Sequence, residues 1–266
     1  MISPSLLALD RALHDAMIAA RRHIHAHPEL SNEEHETQTF VMRWLREQGV
    51  GEARAAAGTG AVIDIVGTAG ASNRKVAIRA DIDALPIFEQ SGVPFASRRP
   101  GVMHACGHDA HTAMGLATAA LLHRLRSRFS GAVRMIFQPA EEAEPLGGRR
   151  IVEEDRLLED VDAAIGIHVD PYLETGRLGA SPGSFTLASD IFNIVIKGRS
   201  AHAARPNEGI DAIAVGASIV SELQKIVSRE TDAFDPLVVS ITGFAGGGAY
   251  NVIADRVELR GTIRSG

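Results

Sequence analysis

The sequence predicts an α/β domain built on a largely parallel sheet flanked by helices, followed by a small α+β domain. Three observations carry this. Runs of strand length alternate with helical patterns up to about residue 169, the signature of helices covering a largely parallel sheet. Two runs, "AVRMIFQ" at 132–138 and "DAAIGIHV" at 162–169, are apolar almost throughout, as strands buried on both faces are. Around Gly183 the character changes. There "RVELRGTIR" alternates strictly, with Val257, Leu259, Gly261 and Ile263 set against Glu258, Arg260 and Thr262, which suits a sheet with one wet face.

Taken in order, Ser5 to His25 has helical spacing, with Leu6, Leu9, Leu13 and Met17 on one face. Pro28 breaks that pattern. "SNEE" reads as a capping box, Ser31 with Glu34, opening a second helix. This helix turns Phe40, Val41, Trp44 and Leu45 inward and stops near Gly49. Strands are expected in "GAVIDIVG" at 60–67 and "KVAIRADIDAL" at 75–85, and a long helix of small residues in "DAHTAMGLATAALLHRLRSR". The strand at 132–138 ends at Pro139, "IVEEDRLLE" forms a short helix, and the strand at 162–169 is buried. In the second domain, "DIFNIVIKG" and "PLVVSITGF" are strands on either side of the amphipathic helix "GIDAIAVGASIVSELQKIVSR". Its apolar face carries Ile210, Ile213, Ala217, Val220, Leu223 and Val227. The domains are expected at 1–184 and 185–266.

The chain of 266 residues is long enough for two such domains. A formal net charge of −6 argues against nucleic acid as the main partner, because phosphate binding needs a basic face. One cysteine allows no internal disulfide and points to a reducing compartment. "MISPSLLALDRALHDAM" lacks a basic start and is interrupted by Asp10, Arg11 and Asp15, so it does not read as a signal peptide. No uncharged apolar run approaches the roughly 18 residues of a membrane span. The expectation is a cytoplasmic protein with no nucleic-acid or membrane partner.

Candidate site residues fall at or just after strand ends: Asp81 and Asp83, Cys106 and His108, Glu141 and Glu142, and His168. Open α/β sheets bind ligands at that end of the strands. Each has a plain alternative. Asp83 can be a turn residue, Glu141-Glu142 a solvated pair, His168 a hydrogen-bonded core residue and Cys106 a small buried hydrophobe. Their joint placement points to a metal. A thiolate and an imidazole two residues apart favour zinc, cobalt or manganese-like ions over calcium or magnesium, and Gly107 between them permits a sharp bend. Adjacent glutamates face different ways, so one can ligate while the other acts as a base toward an acidified water. His104 and His111 flank the site in supporting or core roles. His23, His25 and His27 read as exposed or packing residues, not as a metal triad.

The segments "RRHIHAHPELSNEEHET", "IRADIDALPI", "GVMHACGHDAHTAM", "FQPAEEAEPLGG", "GIHVDP", "KGRSAHAARPNEGIDAI" and "GAYNVIADRVELRGTIR" resemble, in order, the M20 metallopeptidase family. They look specifically like its amidohydrolase branch, which includes hippurate hydrolase, N-acetyl-amino-acid deacetylases and auxin-conjugate hydrolases. The resemblance implies a zinc-peptidase-like catalytic domain and a ferredoxin-like lid and dimerisation domain. It implies Cys106, His108, Glu142 and His168 as metal ligands, Cys106 bridging, with Glu141 as general base and Asp83 supporting the ligands from behind. His202 is similar to the histidine that reaches the partner subunit's site and steadies the oxyanion, and Asn251 to a substrate-contacting asparagine. The implied activity is metal-dependent hydrolysis of the amide of N-acyl amino acids. Two divalent transition ions per site (zinc, manganese, cobalt or nickel) and a homodimer formed through the lid go with it.

The family chain returns from its lid to the catalytic domain and delivers one more histidine ligand. Both domains are therefore expected to be incomplete at Gly266, and the fragment to be marginally stable and to self-associate. "GRSAHAARPNEG" has Ser200-Ala201 where glycines are usual and Asn207 where the family often has histidine; Ala254 stands in place of a proline. These differences bear on substrate choice. The competing readings are an inactive metal-binding fragment, a cysteine hydrolase using Cys106 with a nearby histidine, and a module that acts only by pairing lids.

Overall fold

The computed structural model describes residues 10–183 and 186–266. The chain divides into two compact units between Tyr172 and Leu173, ahead of the expected start of the second domain at residue 185.

The first unit contains helices α1 (Arg11–Ala26), α2 (His35–Glu47) and α3 (His108–Arg124). Its strands are β1 (Arg54–Ala56), β2 (Gly60–Val66), β3 (Lys75–Asp81), β4 (Ala132–Gln138) and β5 (Ala163–Gly166). They form one sheet in the order β1-β2-β4-β3-β5. Strands β4, β3 and β5 are mutually parallel, and β2 and β1 extend the sheet antiparallel beyond β4. On one face, Ala61, Ile63 and Ile65 of β2 and Met135 and Phe137 of β4 pack against the helices. They meet Leu13 and Ala20 of α1, Val41, Trp44 and Leu45 of α2, and Leu116, Ala117 and Ala120 of α3. On the other face, Val62, Ala77 and Ile136 meet Ile151 and Leu157. Successive strand residues point to opposite faces, so burial on both sides accounts for the nearly continuous apolar runs of β2 and β4. The alanines of α3 let its backbone lie close on the sheet.

Several expectations are corrected. Leu6 and Leu9 lie outside the described residues; of the expected face of α1, Leu13 is buried and Met17 partly so. The helix is capped by Asp10, which accepts from the Leu13 N–H at 2.7 Å. Ser31 and Glu34 form no capping box: Ser31 Oγ donates to Asp83 at 2.7 Å, and buried Glu34 accepts from the Ala140 N–H at 2.7 Å and from the Thr59 hydroxyl. The amide groups opening α2 are met by Glu29 instead, which accepts from Glu36 N at 3.2 Å and Thr37 N at 2.7 Å. A buried acid that pairs across the fold outcompetes the local cap. Of the expected helix "IVEEDRLLE" only residues 151–154 are helical, in turns that begin earlier, over Gly147–Arg149 and Arg150–Glu154, and residues 157–159 form a turn. Strand β5 is exposed along its length, not buried. It pairs only with β3 among the described residues, leaving Ile165 51% and Ile167 47% accessible.

The second unit holds β6 (Ala188–Lys197), helix α4 (Ala212–Lys225), β7 (Leu237–Gly246) and β8 (Arg256–Ser265). Its antiparallel sheet has the order β6-β8-β7. Ile196, Val257 and Leu259 of the sheet close on Ala212, Ile219 and Val220 of α4, which Asp211 caps by accepting from Ile213 N and Ala214 N. The alternation of β8 appears as expected from Val257 to Gly261, while Thr262, Ile263 and Arg264 are all half-buried. The helix face appears only in part: Val220 packs on the sheet and Leu223 is half-buried, but Ile213, Ala217 and Val227 are exposed and Ala212 and Gly216 are buried instead. Small residues allow closer approach to the sheet than the branched stripe would, so the helix turns them inward.

Candidate metal centre

Because β3, β4 and β5 run parallel, their carboxyl ends lie on one side of the sheet. The chain there carries Asp81 and Asp83 at the end of β3, Glu141 and Glu142 after β4, and His168 after β5. Helix α3 opens on the same side with His108. The residue before it, Gly107, adopts φ +86°, and a Cβ there would lie 2.4 Å from Val169 Cγ2. Glycine is required on both counts.

Asp83 organises the cluster. Its side chain is buried and accepts four hydrogen bonds: from His108 Nδ1 at 3.0 Å, Glu141 N at 2.9 Å, Glu142 N at 2.9 Å and Ser31 Oγ at 2.7 Å. Burial works to raise its carboxyl pKa, but the bonds from His108, Ser31 and the Glu142 amide outweigh it and hold the group below the ordinary range. Glu34 holds the residue before this pair, Ala140, at φ +46°. Two buried carboxylates thus take three consecutive backbone N–H groups and aim the two glutamates.

His108 Nδ1 also lies 3.0 Å from the Asp83 carbonyl. Both neighbours of Nδ1 are acceptors, so the proton is there and Nε2 faces the cluster. Around Nε2 stand Asp81 Oδ2 at 3.5 Å, Glu142 Oε1 at 3.8 Å and Glu141 Oε2 at 4.0 Å. Burial pulls the His108 pKa down, but the Asp83 hydrogen bond and the Asp81 and Glu142 carboxylates win and raise it. Cys106 Sγ is 3.3 Å from His168 Nε2. Burial first, then the Glu142 carboxylate, pushes the Cys106 thiol up to about 12. The Glu141 carboxyl is also raised, by burial and then by Glu142.

This arrangement fits a metal ion. His108 Nε2 and Glu142 Oε1 are buried with no hydrogen-bond partner among the described residues. Three groups, Cys106-His108-His168, His108-Glu141-Glu142 and Asp81-His108-His111, place their donor atoms within 4.8 Å of one another. Donors about 2.0–2.3 Å from one ion necessarily sit roughly 3–4 Å apart. A thiolate would form only beside compensating positive charge, which a bound cation supplies.

Asp83, Cys106, His108, Glu141, Glu142 and His168 are therefore brought together in the first unit. His202 and Asn251 lie on two paired backbone segments of the second, His202 opposite Val252: Ala203 N donates to Asn251 O and Ile253 N to Ala201 O, both at 2.9 Å. Both side chains are exposed. His104 is buried, and burial pushes its pKa down to about 4. His25 bridges Asp109 at 2.8 Å and Glu89 at 3.0 Å, while His23 stacks on Phe40, so these histidines pack as expected. Sequence reasoning missed Glu34 and Glu29. Glu34 was read only as part of a local cap, and Glu29, in the break after Pro28, carried no pattern that marked it.

The chain matches the sequence profile of peptidase family M20/M25/M40 over residues 77–261. It is 46% identical to the N-acyl-L-amino acid amidohydrolase of Geobacillus stearothermophilus, over 94% of this chain and 66% of that protein. To the N-acetylcysteine deacetylase of Bacillus subtilis strain 168 it is 45% identical, over 96% and 67% respectively. Among solved structures, the YXEP protein of Bacillus subtilis, a dinuclear metal-binding peptidase from the M20 family, superposes with a TM-score of 0.79 at 42% identity, over 96% of this chain and 65% of that one. The chain spans about two thirds of the length of these relatives. With identity at this level across nearly all of its own length, the chain belongs to peptidase family M20/M25/M40.

Proposed function

We propose that this chain carries the catalytic centre of a metal-dependent amidohydrolase acting on N-acyl amino acids. The observation that carries the reading is the convergence of His108 Nε2 and Glu142 Oε1 with the Cys106–His168 pair at the carboxyl ends of parallel strands. In it Cys106, His108, Glu142 and His168 hold one or two divalent transition ions, of which zinc, manganese, cobalt or nickel suit the donors. Such an ion supplies Lewis acidity toward the amide carbonyl and acidifies water.

The protein's own residues do the rest. Glu141, beside a ligand but 41% exposed in its side chain, faces solvent and takes the proton from the attacking water. It returns that proton to the amide nitrogen as the C–N bond breaks, releasing a carboxylic acid and an amino acid. Asp83 fixes the His108 ring and the glutamate loop. His202 is proposed to steady the oxyanion and Asn251 to contact substrate, supported by the motifs that carry them and by the exposure of both residues. A homodimer formed through residues 185–266 and a cytoplasmic location complete the proposal. No helix is long and apolar enough to cross a membrane among the described residues.

The 3.3 Å Cys106–His168 contact also suits a thiol–imidazole dyad. Burial and then the acids around the thiol oppose that reading, since together they push it up to about 12. Release of free amino acid from N-acetyl amino acids, measured with and without a chelator, separates the two. The metal reading expects activity to vanish with the chelator and return with added zinc, manganese or cobalt. It also expects Glu141→Gln to keep its metal while kcat falls by roughly 10²–10⁴-fold. Turnover that survives chelation, or survives Glu141→Gln at normal metal content, contradicts it.

A further inference from the structure

His111 lies one turn into α3 and is 3% exposed. With Asp81 and His108 it forms one of the groups spaced to hold a metal. Its hydrogen bonds say otherwise. The Val169 N–H donates to His111 Nε2 at 2.9 Å. A backbone amide can only donate, so Nε2 presents its lone pair to Val169 and the ring proton is on Nδ1. That proton goes to Asp81 Oδ1 at 2.6 Å, and Arg79 pairs with the other Asp81 oxygen at 2.6 Å. The lone pair that a metal would need is already in use.

The far end of this chain of bonds is what gives it meaning. Val169 follows His168, and the Val169 carbonyl accepts from His168 Nδ1 at 2.7 Å. This places the His168 proton on Nδ1 and leaves Nε2 as a lone pair facing Cys106 Sγ at 3.3 Å. The two polar groups of Val169 are thus held by two histidine rings, one of which is the proposed ligand. The His111 ring also meets the His168 ring edge-on, with centroids 4.7 Å apart. His168 follows an exposed edge strand and is itself exposed. Val169 also presses on the Gly107 turn, where a Cβ would meet its Cγ2 at 2.4 Å, so a shift of Val169 would disturb the Cys106–His108 bend.

We propose that His111 is a positioning residue: through the Val169 peptide it fixes the ring of His168 with Nε2 directed at the metal, and it does not bind the metal itself. The inference rests on the metal reading above and concerns only which histidine ligates and what orients it.

The test uses two variants and the unaltered protein. In His111→Leu the bond to Val169 is gone. In His111→Gln the amide oxygen can replace Nε2 as acceptor and the NH₂ can still reach Asp81. In cobalt-loaded protein, His111→Leu is expected to lower metal affinity by roughly 10–100-fold and to alter the ligand-field bands, while the thiolate-to-cobalt band of Cys106 remains. His111→Gln is expected to recover most of both. In unaltered protein loaded with cadmium-113 and labelled with nitrogen-15, metal coupling is expected at Nε2 of His108 and His168 and at neither nitrogen of His111. This arm needs no variant to fold. Coupling at His111, or a folded His111→Leu protein with unchanged affinity and bands, overturns the proposal. So does a Gln variant as impaired as Leu. A missing thiolate band in unaltered protein removes the metal reading, and this inference with it; a thiolate band together with coupling at His111 removes this inference alone.

Discussion

Asp83 is buried and ionised, and it accepts from a histidine, a serine and two backbone amides at once. Asp83→Asn keeps the shape but places an NH₂ among donors, and should cost roughly 3 kcal/mol, read by urea unfolding at pH 7. The folded-state carboxyl is depressed, so its contribution is complete above the ordinary aspartate value of about 4 and fades as pH falls through the lower folded value. The gap between the two proteins should therefore close in acid; a gap of constant size from pH 7 to pH 3 would contradict the assignment. Cys106 gives a second check at this scale. With its thiol pushed up to about 12, metal-stripped protein should react slowly with iodoacetamide at pH 7 and faster toward that value; rapid alkylation at pH 7 would support the thiol–imidazole dyad instead. Residue types and spacing made Cys106, His108, Glu141, Glu142 and His168 legible as a group, and Asp83 through its place at a strand end. Glu34 was not legible, because its partners Thr59 and Ala140 lie far along the chain.

Among the elements, β2 and β4 were readable almost to the residue, since a strand buried on both faces must be apolar throughout. Strand β5 has the same composition but an open edge, and composition cannot report what covers a strand. The start of α2 failed for a related reason. A capping box is a local pattern, and here a buried carboxylate brought in by the parallel Leu30–Ala84 bridge claims the serine. The cap is Glu29, so Glu29→Ala should destabilise the first unit by about 1–2 kcal/mol, measured by urea unfolding. A change below a few tenths would show that the helix start is held by something else.

For the molecule as a whole, the order of motifs along the chain was enough to indicate two units, the parallel sheet of the first and the strand–helix–strand–strand of the second. The face of α4 was read correctly at Val220 but not at Ile213 and Ala217, because periodicity alone favours the bulkiest stripe, whereas the packed sheet accepts Ala212 and Gly216. At this scale, donors from three parallel strand ends and one helix start converge on one site for one or two transition ions. X-ray absorption at the zinc edge of zinc-loaded protein tests it most directly. The account predicts one sulfur at about 2.3 Å with nitrogen and oxygen donors at about 2.0–2.1 Å; the sulfur should disappear in Cys106→Ala, and bound zinc should fall sharply in Cys106→Ala/His108→Ala. A zinc shell without sulfur, or one unchanged in the double variant, would place the metal elsewhere and contradict it.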